Sequence, residues 1–154
     1  PGGTTYEELR GILGRVKLHP TVLAGKGMHL ARAPSPGMKH KHYAPNAKVI
    51  VVEGTTGAVR KKVQILATRY MKRGKRVGIM ATDESRSAYD ADVVKSLGSR
   101  ADPATAAKRL YGLLRDFDDD GVDIIIAEGM TPKGLGLAIE NRLRRASGLN
   151  IVSA

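Results

Sequence analysis

With 154 residues, 42% apolar and 27% charged, the chain has the make-up of one globular domain rather than two with separate cores. The absence of cysteine excludes disulfides, thiolate metal sites and the small stapled scaffolds of secreted proteins, and no window approaches the ~20 apolar residues that span a bilayer. The net charge of +11 points to anionic partners, although one Phe and five Tyr leave no aromatic platform on which bases could stack.

The first residues, PGGTTYEELRG, read as a turn and a helix start instead of a signal peptide. The lack of an initiator Met predicts a piece of a longer chain, and the cytoplasm is the expected compartment. Thr5 stands three residues before Glu8, the spacing of a capping box, and Leu9, Ile12 and Leu13 share one face of a short helix that Gly14 stops. Residues 15–47 hold Pro20, Pro34, Pro36, Pro45 and all four histidines with little apolar periodicity, the pattern of a linker or long functional loop.

From Lys48 the pattern changes. Val49 to Val52 is a continuous apolar run, expected of a strand covered on both faces. Val59, Val63, Leu66, Ala67 and Tyr70 recur at three- and four-residue spacing, which predicts a helix over residues 57–73. Residues 76–81 read as a second strand, residues 82–92 are polar without a pattern, and residues 93–97 read as a short third strand. Asp102 as cap and Pro103 in the first turn open a helix whose apolar stripe is Ala106, Ala107, Leu110, Leu113 and Leu114. Residues 122–127 are the clearest strand and residues 135–146 the last helix; Val152 either starts another strand or marks the end of the ordered pattern. Apolar runs without alternation, interleaved with helices, predict an α/β fold: a three-layer Rossmann-like sandwich with a mainly parallel sheet, preceded by a short helix and a long linker.

A fold of this class invites a phosphate or nucleotide site. Gly54-Thr55-Thr56-Gly57 after the first strand matches neither the dinucleotide fingerprint nor the P-loop, and reads first as a tight turn whose exposed amides could also hold an anion. The better candidate for a ligand or anion pocket lies at residues 128–136, at the carboxyl end of the best strand, with helix packing and a simple turn as the other readings. Glu128 would be its polar anchor, Gly134 and Gly136 its close-approach positions, and Asn141 completes the set. Residues 116–121, DFDDDG, match the start of a calcium loop, but the twelfth position is Ala127 inside a strand, so a solvated acidic turn is expected. His40 and His42, two apart without cysteine or a fixed carboxylate, predict no metal site. No nucleophile–base constellation occurs, so no catalytic residue is expected within this chain. The basic groups at residues 60–62, 72–76 and 142–145 read first as solvated helix faces and ends, and second as a nucleic-acid contact.

One segment carries more. Ser35–Pro45 reads SPGMKHKHYAP, two prolines and a glycine around Met38, Lys39, His42 and Tyr43. It resembles the interdomain linker of the long-form threonylcarbamoyl-AMP synthases, the YrdC-related Sua family. Pro1-Gly2-Gly3 with TTYEELRGILG resembles the tail of that family's catalytic domain, and SLGSRADPATAAKRLYGLLRDFDDDGVDIIIAE with GLGLAIENRLRRAS resembles its C-terminal domain. The resemblance implies three parts: residues 1–14 as the tail of a YrdC-like catalytic domain, residues 15–47 as a linker and lid, and residues 48–154 as an accessory domain. It further implies that the parent enzyme, using ATP with Mg, joins L-threonine, bicarbonate and ATP into threonylcarbamoyl-AMP for tRNA modification, with tRNA or a tRNA-modification complex as a further contact. The accessory fragment itself would bind no cofactor. Pro36, Gly37, Met38, Lys39, His42 and Tyr43 match the lid motif; His40 departs from it, since the family usually has Tyr there. The alternative is an independent tRNA- or nucleotide-binding module.

Overall fold

The computed structural model describes residues 3–19, Val22 and residues 45–154. Thr5 caps helix α1 (Tyr6–Leu13) with both halves of the capping box: Glu8 N donates to Thr5 Oγ1 at 3.1 Å and Thr5 N donates to Glu8 Oε2 at 2.7 Å. The predicted apolar face is formed, but it looks outward. Leu9, Ile12 and Leu13 are 38%, 78% and 66% exposed, with no described residue covering them.

From Lys48 the elements run β1 (Lys48–Glu53), α2 (Thr56–Met71), β2 (Val77–Ala81), a short 3-10 turn (Arg86–Ala88), β3 (Val93–Ser96), α3 (Pro103–Asp119), β4 (Ile124–Glu128), α4 (Leu135–Ala146) and β5 (Ile151–Ser153). The strands form one sheet in the order β3-β2-β4-β1-β5, with every pairing parallel. Val152, ambiguous in sequence, lies in β5, opposite Val52. The two-residue pleat divides each apolar run between two cores. Ile50, Val52, Ile79, Ile124 and Ile126 pack with Val59, Val63 and Ala67 of α2 on one face. Val49, Val51, Met80, Ile125 and Ala127 pack with Leu110, Leu114 and Phe117 of α3 and with Ile139 and Leu143 of α4 on the other. The result is the three-layer α/β sandwich with a parallel sheet that the patterning predicts. Gly78 of β2 is what lets α3 approach: a Cβ there would stand 2.6 Å from Phe117 Cδ1.

The acidic stretch 116–121 sharpens one expectation. Asp116 and Asp119 are exposed and Asp120-Gly121 is the turn toward β4, but the stretch is not turn throughout. Its first four residues are the last turn of α3, and Phe117 is fully buried between Asp116 and Asp118. The Asp118 carboxylate accepts from Asn46 N at 2.9 and 3.0 Å and from Ala47 N at 3.2 Å, tying down the chain that enters β1. Asp120 Oδ2 lies 2.6 Å from Lys95 Nζ. Among the described residues no cluster of three acidic or histidine side chains could hold a metal ion, and no helix is long and apolar enough to cross a membrane. Pro36, Gly37, Met38, Lys39, His40, His42 and Tyr43 lie outside the described residues.

Candidate functional site

β1 and β4 are neighbours in the sheet, yet the helices that follow them leave in opposite directions, α2 onto one face and α4 onto the other. Such a divergence opens a crevice at the carboxyl edge of a parallel sheet. A cavity of about 250 Å³ occupies it. Its walls are Glu53, Gly54 and Thr56 after β1, Gly129 to Pro132 after β4, Arg100 beyond β3, and Glu140 and Arg144 of α4. A wider, shallower hollow of about 500 Å³ lies away from this edge, over Gln64, Ile65 and Arg69 of α2 and Lys72 and Arg73 of the turn after it.

Glu128, the last residue of β4, is buried behind the cavity. Its Oε2 accepts from Thr82 N at 2.9 Å, Thr82 Oγ1 at 3.0 Å, Ser85 Oγ at 2.8 Å and Arg100 Nη2 at 3.2 Å, and its Oε1 accepts from the Tyr89 hydroxyl. A buried carboxylate is tolerated only when its oxygens are satisfied in this way. Burial, and next the Glu128 carboxylate, push the Tyr89 phenol well above its usual value, so Tyr89 stays a donor. Arg100 is held at two points, by Glu128 and by Gly129 O at 3.2 Å, while its buried Nε has no partner among the described residues.

The opposite wall is a second ionic group. Arg144 Nη2 donates to Glu53 Oε2 at 2.6 Å and Arg144 Nε to Glu140 Oε1 at 3.4 Å, one helical turn back. Glu140 Oε2 also accepts from Met130 N at 2.7 Å, which fixes the loop after β4. Burial pushes the Glu140 carboxyl up to about 8, and the adjacent Glu53 carboxylate adds to the rise; the Met130 amide and Arg144 offset it only in part. In neutral solution Glu140 is therefore largely uncharged, and the wall carries Arg144 and Glu53 as its ion pair.

The four positions expected to form the pocket do not line this cavity together. Glu128 braces it from behind. Gly134 begins α4, and its N–H donates to Glu7 Oε1 of α1 at 3.2 Å. Gly136 is a packing position, since a Cβ there would meet the Thr131 carbonyl oxygen at 2.2 Å. Asn141 faces the chain that leaves α1: its Nδ2 donates to Val22 O at 3.2 Å, and its Oδ1 accepts from Arg145 Nε at 3.2 Å. The lining charges that pattern reading missed are Glu53, Arg100, Glu140 and Arg144. Only the Glu140–Arg144 pair left a trace, an opposite-charge spacing of four residues on a predicted helix.

A family model described as the C-terminal domain of threonylcarbamoyl-AMP synthase matches residues 4–148. The threonylcarbamoyl-AMP synthase of Pyrococcus abyssi is 45% identical over 152 residues, which are 99% of this chain and 42% of that protein. The Bacillus subtilis enzyme of the same name is 40% identical over 152 residues, with the same coverage. The crystal structure of P. abyssi Sua5 complexed with L-threonine superposes on 100% of this chain with a TM-score of 0.86 at 44% identity, using 43% of its own length. The chain thus spans about 42% of the length of the curated relatives it matches. With a parallel sandwich shared from end to end at that identity, the chain belongs to the threonylcarbamoyl-AMP synthase C-terminal domain family.

Proposed function

We propose that this chain is the accessory domain and active-site lid of a threonylcarbamoyl-AMP synthase. The parent enzyme condenses L-threonine, bicarbonate and ATP, taken with Mg, to threonylcarbamoyl-AMP and pyrophosphate for the threonylcarbamoyladenosine modification of tRNA in the cytoplasm. The observation that carries this reading is the full-length match of the chain to 43% of a protein crystallised with L-threonine. Chemistry then belongs to a YrdC-like domain of the same polypeptide, of which residues 1–14 are the tail, and residues 15–47 form the linker. The outward apolar face of α1 supports that reading, because Leu9, Ile12 and Leu13 need a cover that residues 45–154 do not supply. A lid has a physical purpose in this reaction: the carbamate and the mixed anhydride are both lost to water. Pro36 and Gly37 would set the path of the lid, with Met38, Lys39, His42 and Tyr43 as its contacts. In the full-length enzyme, Lys39→Ala and Tyr43→Ala are expected to lower threonylcarbamoyl-AMP formation at least about tenfold, as removal of one charged or buried hydrogen-bonding group would. Undiminished turnover in both variants would remove the lid assignment.

A second reading, direct contact of this domain with tRNA, rests on where the charge lies. Residues 54–82 contain eight Lys and Arg and no acidic residue, so most of the net +11 is concentrated on α2 and the turn after it. Of those eight, Lys75 alone makes an ion pair among the described residues, at 3.5 Å to Asp123.

A further inference from the structure

We infer that the hollow over Ile65 seats an unpaired base of an RNA strand, with the flanking phosphates on Arg69, Lys72 and Arg73; this rests on the reading of α2 as a tRNA contact. The geometry is the first support. Gln64, Thr68 and Lys72 make one row at four-residue spacing, and Ile65, Arg69 and Arg73 make the next. The hollow of about 500 Å³ is the groove between these two rows. Ile65 lines it and is 62% exposed. Gln64 is held in place: its Nε2 donates to Thr68 Oγ1 at 3.2 Å and to Asp90 O at 3.0 Å, and its Oε1 accepts from Asp90 N at 3.0 Å. That amide is spent within the protein, so what the hollow offers a ligand is an apolar surface beside three cations.

The second is the charge. Arg69, Lys72 and Arg73 are exposed and form no ion pair among the described residues. Cations at the carboxyl end of a helix are ordinary, since the helix dipole favours them there. The dipole does not account for the absence of any acid over residues 54–82, which would otherwise pair with these side chains. A stretch of eight cations without one counter-charge is complementary to a polyanion.

The apolar part then decides which polyanion. Duplex RNA keeps its bases stacked inside and offers side chains mainly backbone, which leaves Ile65 unused. An acidic protein segment needs a centre of several apolar residues to exclude water, but Ile65 is the only exposed large apolar residue among the described residues 45–154. One unpaired base needs just one such surface. It can lie on Ile65 against the plane of the Arg69 guanidinium, which takes the place of the aromatic platform that this composition lacks.

The test titrates the 154-residue chain into a labelled short single-stranded RNA, a duplex of the same strand, and a poly-glutamate peptide of the same charge as the strand, each followed by fluorescence anisotropy. Electrostatics alone favours the duplex, whose higher charge density releases more counterions. The single strand is nevertheless expected to bind about fivefold or more tightly than the duplex, the worth of one seated base. Ile65→Ser, at an exposed position where the fold loses little, should abolish that preference and leave the salt slope unchanged, since no charge is altered. Equal affinity for strand and duplex, or a preference that survives in Ile65→Ser, would overturn the base seat and leave the tRNA contact standing. No RNA binding at about 0.15 M salt would remove that contact and the seat with it. Poly-glutamate bound as tightly as the single strand, and released by Ile65→Ser, would overturn the RNA assignment in favour of an acidic protein.

Discussion

Glu140 shows how much one side chain owes to its surroundings. On a bare helix it would be the partner of an i,i+4 pair with Arg144; in the folded chain it is buried beside a second carboxylate, Glu53. Its carboxyl titrates near its ordinary value of 4.5 in the unfolded chain and near 8 in the folded one, so between those limits the folded state holds the extra proton. The corresponding stability is present at the acid end and lost as the pH rises toward 8. Glu140→Gln keeps an oxygen for the Met130 amide but cannot ionise. Its urea midpoint is expected to rise relative to that of the native chain between about pH 5 and about pH 8; a difference that stays constant across this range would refute the shifted carboxyl. Glu128 makes the complementary point. Its place at the end of the best strand was readable, but its role is to order Thr82, Ser85, Tyr89 and Arg100 around itself, from segments far from it in the chain.

Among the elements, two glycines separate propensity from packing. Gly78 sits in β2 under the ring of Phe117, where an added Cβ would be 2.6 Å from Cδ1. Gly78→Ala is expected to destabilise by about 1–3 kcal/mol, since ring and strand must part. Gly112 lies in the interior of α3 with nothing within 4 Å of an added Cβ. Gly112→Ala is therefore expected to stabilise by about 0.5–1 kcal/mol through helix propensity alone. Chemical denaturation of both variants checks the pair, and equal signs would mean that the α3–β2 packing does not govern either position. The strands and helices themselves were legible within a residue or two because each is a long run of one period. The 3-10 turn at Arg86–Ala88 was not, since the residues on either side of it, Ser85 and Tyr89, are held by Glu128 from a distant strand.

On the scale of the whole molecule the charge is lopsided. The bare cations of α2 and the turn after it include Arg69 and Arg73, like charges four residues apart that repel each other unless an anion lies between them. If tRNA lies on this surface, the double variant Arg69→Glu, Arg73→Glu is expected to weaken its binding and to reduce the slope of log K against log salt by about two, one for each phosphate that is no longer neutralised. Filter binding across a salt series measures this, and an unchanged slope would confine the basic face to a solvated role.

By itself, the sequence determined the α/β class, nearly every element, the capping box at Thr5 and, through SPGMKHKHYAP and GLGLAIENRLRRAS, the family resemblance. These are local signals, written in spacing along the chain. Which strands become neighbours is not local. The order β3-β2-β4-β1-β5 brings residue 52 beside residue 128 and sends α2 and α4 to opposite faces, and only that makes a crevice. The tertiary structure likewise decided that Glu53, Arg100, Glu140 and Arg144 share one cavity while Gly134, Gly136 and Asn141 do not line it, and that Asp118 clamps the start of β1 instead of sitting in a solvated turn. The physical reason is the same in each case: the partners that hold a charge in place come from residues tens of positions away, and no spacing rule along the chain records them.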